Sequence, residues 1–176
     1  VRRQNNMKKS YRIKKYMSNI IIMSICFLPH SIGRTETMDA NERFNAQRLW
    51  KYMTVEEPYH QYPAWPGKEG FYESTMPPGK IFKLYINNLS LDTAAYKKGL
   101  FPYGSLLIKE VYTDDKRLSL ITVMYKEKGF NPEEHDWYWV KYKPGGNVQM
   151  EGKVKLCIEC HEGMAENDYV FTGLIK

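Results

Sequence analysis

Cysteine is scarce in this chain, with only three among 176 residues. Cys26 lies in the N-terminal segment, and the other two, Cys157 and Cys160, stand three apart near the C-terminus. That leaves no spare cysteine beyond residue 33 for a structural disulfide. Long apolar runs are missing as well. The longest candidate, Asn19–Leu28 (NIIIMSICFL), falls far short of the ~20 residues a membrane-spanning helix needs. Acidic residues are absent from the first 33 positions, which hold seven of the 26 Lys and Arg but none of the 20 Asp and Glu. The formal charge of +6 therefore belongs to that segment; without it, 19 basic groups face 20 acidic ones, a net of −1. No basic patch remains to argue for nucleic acid. The chain shows no internal repeat.

The N-terminal segment reads as an export signal. Lys8, Lys9, Arg12, Lys14 and Lys15 form a basic region, Asn19–Leu28 an apolar core, and Ser31 and Gly33 the small residues before a cleavage site. The alternative is an uncleaved anchor, which Pro29 and the shortness of the run disfavour. Cys26 follows Ile25, not the small residue a lipoprotein site wants. Met7 is a suitable start, with Val1–Asn6 ahead of it. The expected organisation is a signal peptide over 1–33 and one domain over 34–176, in the periplasm or an equivalent extracytoplasmic compartment. Such a domain is long enough for a real core.

Cys157-Ile158-Glu159-Cys160-His161 is the most informative stretch. It is a C-x-x-C-H motif, the attachment signature of a c-type haem: each thiol can form a thioether to a haem vinyl group, and the histidine can reach the iron. C-x-x-C alone also fits a thiol–disulfide pair or half of a zinc site. A zinc site would have to draw on His161, His60 and His135, and a redox pair is expected early in a chain, between a strand and a helix. An export signal is the companion that haem attachment outside the cytoplasm requires.

Asp39–Met53 is expected to be a helix capped by Asp39, with Phe44, Leu49, Trp50 and Met53 as its apolar stripe. Glu57–Gly79, rich in Pro and aromatics, is expected to be an ordered loop packed through Tyr59, Tyr62, Trp65, Phe71 and Tyr72. Strands are expected at Lys80–Asn87, Ser105–Thr113, Leu118–Lys126 and Asp136–Lys143, with a short helix at Leu91–Lys98 that stops at Gly99. In the last of these strands Trp137, Trp139 and Lys141 alternate with Tyr138, Val140 and Tyr142. Pro144-Gly145-Gly146 turns the chain into Val148 and Met150, and Lys153–Met164 carries the motif on a short helix. The fold class is α+β: mainly an antiparallel sheet, with an N-terminal helix and a C-terminal haem-binding helical segment. Small cytochromes c are mostly helical, so this layout sets the chain apart.

An electron carrier usually holds haem iron on both faces. His60, His135 and Met53, Met76, Met124, Met150 and Met164 are the candidate second ligands. His135 sits in a polar turn and reads as a solvated surface histidine; Met124 reads as a core filler. None announces itself, which keeps an open iron site in play. Lys109 interrupts the apolar run Leu106–Val111, and alternation puts it opposite Glu110. One reading is an edge-strand lysine reaching for water. The other is an amine held in a pocket, depressed in pKa and nucleophilic.

Leu49-Trp50 through Trp65-Pro66-Gly67, Ala95-Tyr96-Lys97-Lys98-Gly99, Gly104–Glu110, Thr122–Lys126 through Asp136–Trp139, and the motif followed by Asn167–Thr172 together resemble the cytochrome P-460 family, which includes the gas-binding cytochromes c′-beta. The resemblance implies a largely antiparallel β fold, a homodimer and one five-coordinate haem c, with His161 as proximal ligand and Cys157 and Cys160 as thioether anchors. It further implies that Lys109 stands where the P-460 enzymes form an additional bond from a lysine to the porphyrin edge. Those enzymes oxidise hydroxylamine, which implies a small nitrogen-oxide substrate and a soluble cytochrome as electron acceptor. The c′-beta relatives keep an apolar distal pocket and bind nitric oxide or carbon monoxide. One departure stands out. Hydroxylamine oxidation releases protons, which favours a carboxylate base, yet Leu120-Ile121-Thr122-Val123-Met124 offers none. Phe82, Leu84, Trp137 and Trp139 suit an apolar wall.

Overall fold

A computed structural model describes residues 44–73, 81–96 and 99–171. Its first helix, α1, spans Ala46–Lys51 and opens into a wider π turn over Tyr52–Glu56. Asn45 caps it, its Oδ1 accepting from the Arg48 amide at 2.8 Å. The helix thus starts later than the expected Asp39, which lies outside the described residues. Thr54 Oγ1 donates back to the Trp50 carbonyl at 2.7 Å, a bond that competes with the helical ladder as the turn widens.

The sheet has six strands: β1 Tyr72–Glu73, β2 Ile81–Ile86, β3 Leu106–Tyr112, β4 Leu118–Lys126, β5 Trp137–Tyr142 and β6 Val148–Gly152. They pair antiparallel in chain order, β1 to β6. The four expected strands all appear, within a residue or two of their expected ends. The sheet adds β1 at the end of the Pro-rich stretch, where a two-residue pairing is too short to show alternation. Helix α2, Asn88–Tyr96, starts three residues before the expected Leu91. Asn87 explains the early start. Its Oδ1 accepts from Ser90 Oγ and from the Leu106 amide, tying the first turn of α2 to β3.

The two faces of the sheet carry separate apolar clusters, as period-two alternation requires. On the first face Leu106, Ile108, Ile121, Val123, Tyr125, Tyr138, Val140 and Tyr142 pack with Ala46 and Leu49 of α1 and Met53 of its π turn. On the second, Ile86, Leu107, Trp137 and Trp139 meet Trp65, Phe101, Tyr169 and Val170, with Cys157 and Ile158 packed against them. Trp137 and Trp139 therefore part from Tyr138, Val140 and Tyr142 as their alternation predicts. Of the aromatic loop, Tyr59 and Trp65 are buried, whereas Phe71 is exposed. The turn into β6 uses Gly146 at φ +91°, where a Cβ would overlap the ring of Trp50.

Candidate haem-binding site

Helix α3, Lys155–His161, carries the motif, and a 3-10 segment, Glu162–Asn167, continues it. Val154 and Ile158 seat α3 on the second face, leaving Cys157 half-buried and Cys160 exposed. Both thiols are free. Burial pushes the Cys157 thiol pKa up, while the Lys141 ammonium pulls it down. His161 completes the last turn. Its Nδ1 lies 2.6 Å from the Tyr169 carbonyl. A carbonyl only accepts, so Nδ1 carries the proton and Nε2 keeps its lone pair free for a metal. Burial lowers the His161 pKa; the Tyr169 carbonyl acts against that and Lys109 adds to it. The ring stands between Trp139 at 4.7 Å and Phe171 at 4.8 Å. It is a neutral, oriented imidazole, the form that ligates iron.

Lys109 comes to the same face. β3 lies between β2 and β4, so Lys109 is on a central strand, which overturns the reading of an edge lysine. Its Nζ sits over the Phe82 ring, 4.1 Å from the centroid. Burial lowers its pKa from 10.5 to about 8, and Cys160 opposes that shift. Lys109 lies one register row from Trp139, whose ring stands 4.7 Å from His161, so the amine shares the motif's face of the sheet. In register across β2 to β5 run Leu84, Lys109, Thr122 and Lys141, with Leu107, Met124 and Trp139 in the next row. Glu110 points to the opposite face, where Tyr59 and Tyr112 donate to it at 2.7 and 2.6 Å.

That geometry sorts the candidate second ligands. His60 Nε2 contacts Glu110 Oε1 at 3.1 Å and Met53 is buried under α1, both on the face away from the motif. His135 is less solvated than its turn suggested, since its Nδ1 donates to Asp168 Oδ1 at 2.9 Å. Met150 is exposed on β6, Met164 lies in the segment after α3, and Met76 falls outside the described residues. Met124 shares the motif's face, packed among Leu107 and Trp139 as filler.

The donor set fits a haem better than a bare metal. Among the described residues, no three His, Cys, Asp or Glu side chains converge as a metal site, which tells against the zinc reading. Two thiols one turn apart, one free imidazole nitrogen and an apolar sheet face suit a large apolar ring with an iron at its centre. Beside His161, the buried Trp139 Nε1 has no hydrogen-bond partner among the described residues, a donor suited to a polar edge such as a propionate.

Sequence reading missed two groups. One is Asp168, fully buried and bonded to Lys126, His135 and the Phe101 amide. The other is the Glu110 cluster. Glu110 had one sequence signal, a charge placed inside an apolar run; Asp168, in the polar stretch Glu166-Asn167-Asp168, had none.

Most small haem proteins with this motif are helical; here a single short helix seats the motif on one face of an antiparallel sheet. Fold and motif together define a β-rich cytochrome. The chain belongs to the cytochrome P460 family, whose model it matches over residues 48–172, and is accordingly a haem protein. No curated protein matches it.

Proposed function

We propose that the chain holds one haem c, through thioethers to Cys157 and Cys160 and through His161 on the iron, and that it oxidises hydroxylamine or a related nitrogen oxide. When bound, the haem supplies an iron that exchanges single electrons and takes small nitrogen oxides as ligands. His161 contributes a fixed neutral imidazole, and Trp139 and Phe171 restrict its rotation. Trp137, Trp139, Leu84 and Phe82 exclude water from the sheet side. Lys109 would hold its Nζ toward the porphyrin edge, where a further C–N bond would replace an N–H and a C–H and pass two electrons and two protons to a peroxide, which is reduced to water. Electrons from the substrate leave to a soluble cytochrome. Export by the N-terminal signal and pairing as a homodimer complete the proposal.

The observation that carries this reading is Lys109, a half-buried amine on a central strand, one register row from the Trp139 that packs against His161, with its pKa down at about 8. An amine that is neutral in an appreciable fraction of molecules near pH 8 is a competent nucleophile.

A second reading is a c′-beta-like protein that binds nitric oxide or carbon monoxide without turnover. The carboxylate gap favours it. In the register rows beside the motif β2 to β5 offer Leu84, Leu107, Lys109, Thr122, Met124, Trp139 and Lys141, while Glu110 faces away. Steady-state hydroxylamine oxidation by the purified haem protein, with a soluble one-electron acceptor, separates the two. Turnover that Lys109→Met abolishes supports the enzyme. Stoichiometric gas binding without turnover supports the second reading, and a low-spin, six-coordinate spectrum in both redox states sinks both.

A further inference from the structure

Directly after the motif segment the backbone does something costly. Asp168 and Tyr169 are consecutive non-glycine residues in left-handed conformation, at φ 54° and 61°. Asp tolerates that region, but a bulky residue such as Tyr rarely enters it. The surroundings over-determine the turn. The Asp168 carboxylate is fully buried and accepts from Lys126 Nζ at 2.6 Å, from the Phe101 amide at 2.8 Å and from His135 Nδ1 at 2.9 Å. The Asp168 carbonyl accepts from Trp137 Nε1 at 2.8 Å. The Tyr169 amide donates to the Met164 carbonyl at 2.8 Å. What the turn achieves is the aim of a single acceptor: the Tyr169 carbonyl points back at His161 Nδ1.

We infer that the buried Asp168–Lys126–His135 cluster is a positioning device for the proximal histidine, which sets the electron donation of His161 to the iron through the Tyr169 carbonyl. The inference rests on His161 being the iron ligand. The physics is that of an outer-shell hydrogen bond. A short Nδ1–H···O bond lends the imidazole anionic character, strengthens its Nε2–iron bond and favours ferric iron. Loosening the turn lengthens that bond and reverses each effect. Asp168 and Lys126 touch neither the iron nor a substrate, so they position and do not catalyse.

The test uses the mature, haem-loaded protein. Midpoint potential and the ferrous iron–histidine stretch by resonance Raman are measured for wild type, Asp168→Asn and His135→Leu. His135 is partly exposed, so its variant keeps the test alive where Asp168→Asn fails to fold. The expected result is an equal haem content, a potential moved positive and a stretch moved to lower frequency, with the larger shifts in Asp168→Asn. Unchanged potential and stretch in the folded variants overturn the inference and leave the ligand assignment standing. Absence in wild type of any stretch sensitive to ¹⁵N-histidine labelling overturns the ligand assignment and the inference together.

Discussion

Glu110→Ala is the substitution whose effect the structure makes most specific. Glu110 is 1% exposed and sits in the middle of β3, back to back with Lys109. It accepts from Tyr59, Tyr112 and His60. Tyr112 and His60 retain access to water and can recover their bonds there. Tyr59, 2% exposed, cannot. Truncation thus strands one buried hydroxyl, a cost of about 1–3 kcal/mol, and removes charge-assisted bonds worth on the order of 1.5–3 kcal/mol. Relief from burying a carboxylate offsets part of this, which leaves a net loss of about 2–4 kcal/mol. Glu110→Gln retains one acceptor oxygen and should lose about half as much. Urea unfolding of the haem-loaded protein at pH 7, followed by far-ultraviolet circular dichroism, reads both values. Because alternation ties the two faces of β3 together, the Ala variant should also lower the fraction of molecules with Lys109 joined to haem. A Glu110→Ala variant within about 0.5 kcal/mol of wild type, the range of an ordinary surface substitution, would refute the cluster as the anchor of β3.

Lys126→Met leaves Asp168 buried without its main counter-charge and should cost about 3–5 kcal/mol in the same unfolding assay. Gly146→Ala forces a Cβ into Trp50 at a positive φ, so a loss of about 2–4 kcal/mol is expected in urea midpoint analysis. Burial raises the phenol pKa of Tyr125 and Tyr142 well above the usual 10. From pH 10 upward the unfolded chain loses those protons while the folded chain keeps them. Stability should then fall as pH rises, by about 1.4 kcal/mol per pH unit for each residue. Unfolding curves from pH 8 to 11 check this, with Tyr142→Phe reducing the slope.

Strands β3, β4 and β5 were legible because each is a run rich in aliphatic, β-branched and aromatic residues bounded by turn residues, and the two-residue period also assigned Trp137 and Trp139 to one face and Tyr138, Val140 and Tyr142 to the other. The motif on a C-terminal helix was legible from five adjacent residues. The start of α1 was not, because Asn45 and Asp39 are both competent caps and only the tertiary setting chooses. Lys109 was ambiguous for a related reason: strand order, which no local pattern encodes, decides whether β3 is an edge. Asp168 was hidden by distance. Its partners Phe101, Lys126 and His135 lie 67, 42 and 33 residues away in sequence. A buried carboxylate built from such separations reads locally as an ordinary polar turn.

Peptide mapping by mass spectrometry of the mature protein tests the central claim most directly. The account predicts one haem bridging two peptides, the one containing Cys157 and Cys160 and the one containing Lys109, at a mass two hydrogens below the sum of the thioether adduct and the free Lys109 peptide. A haem found only on the Cys157–Cys160 peptide, with the Lys109 peptide recovered free, would contradict it.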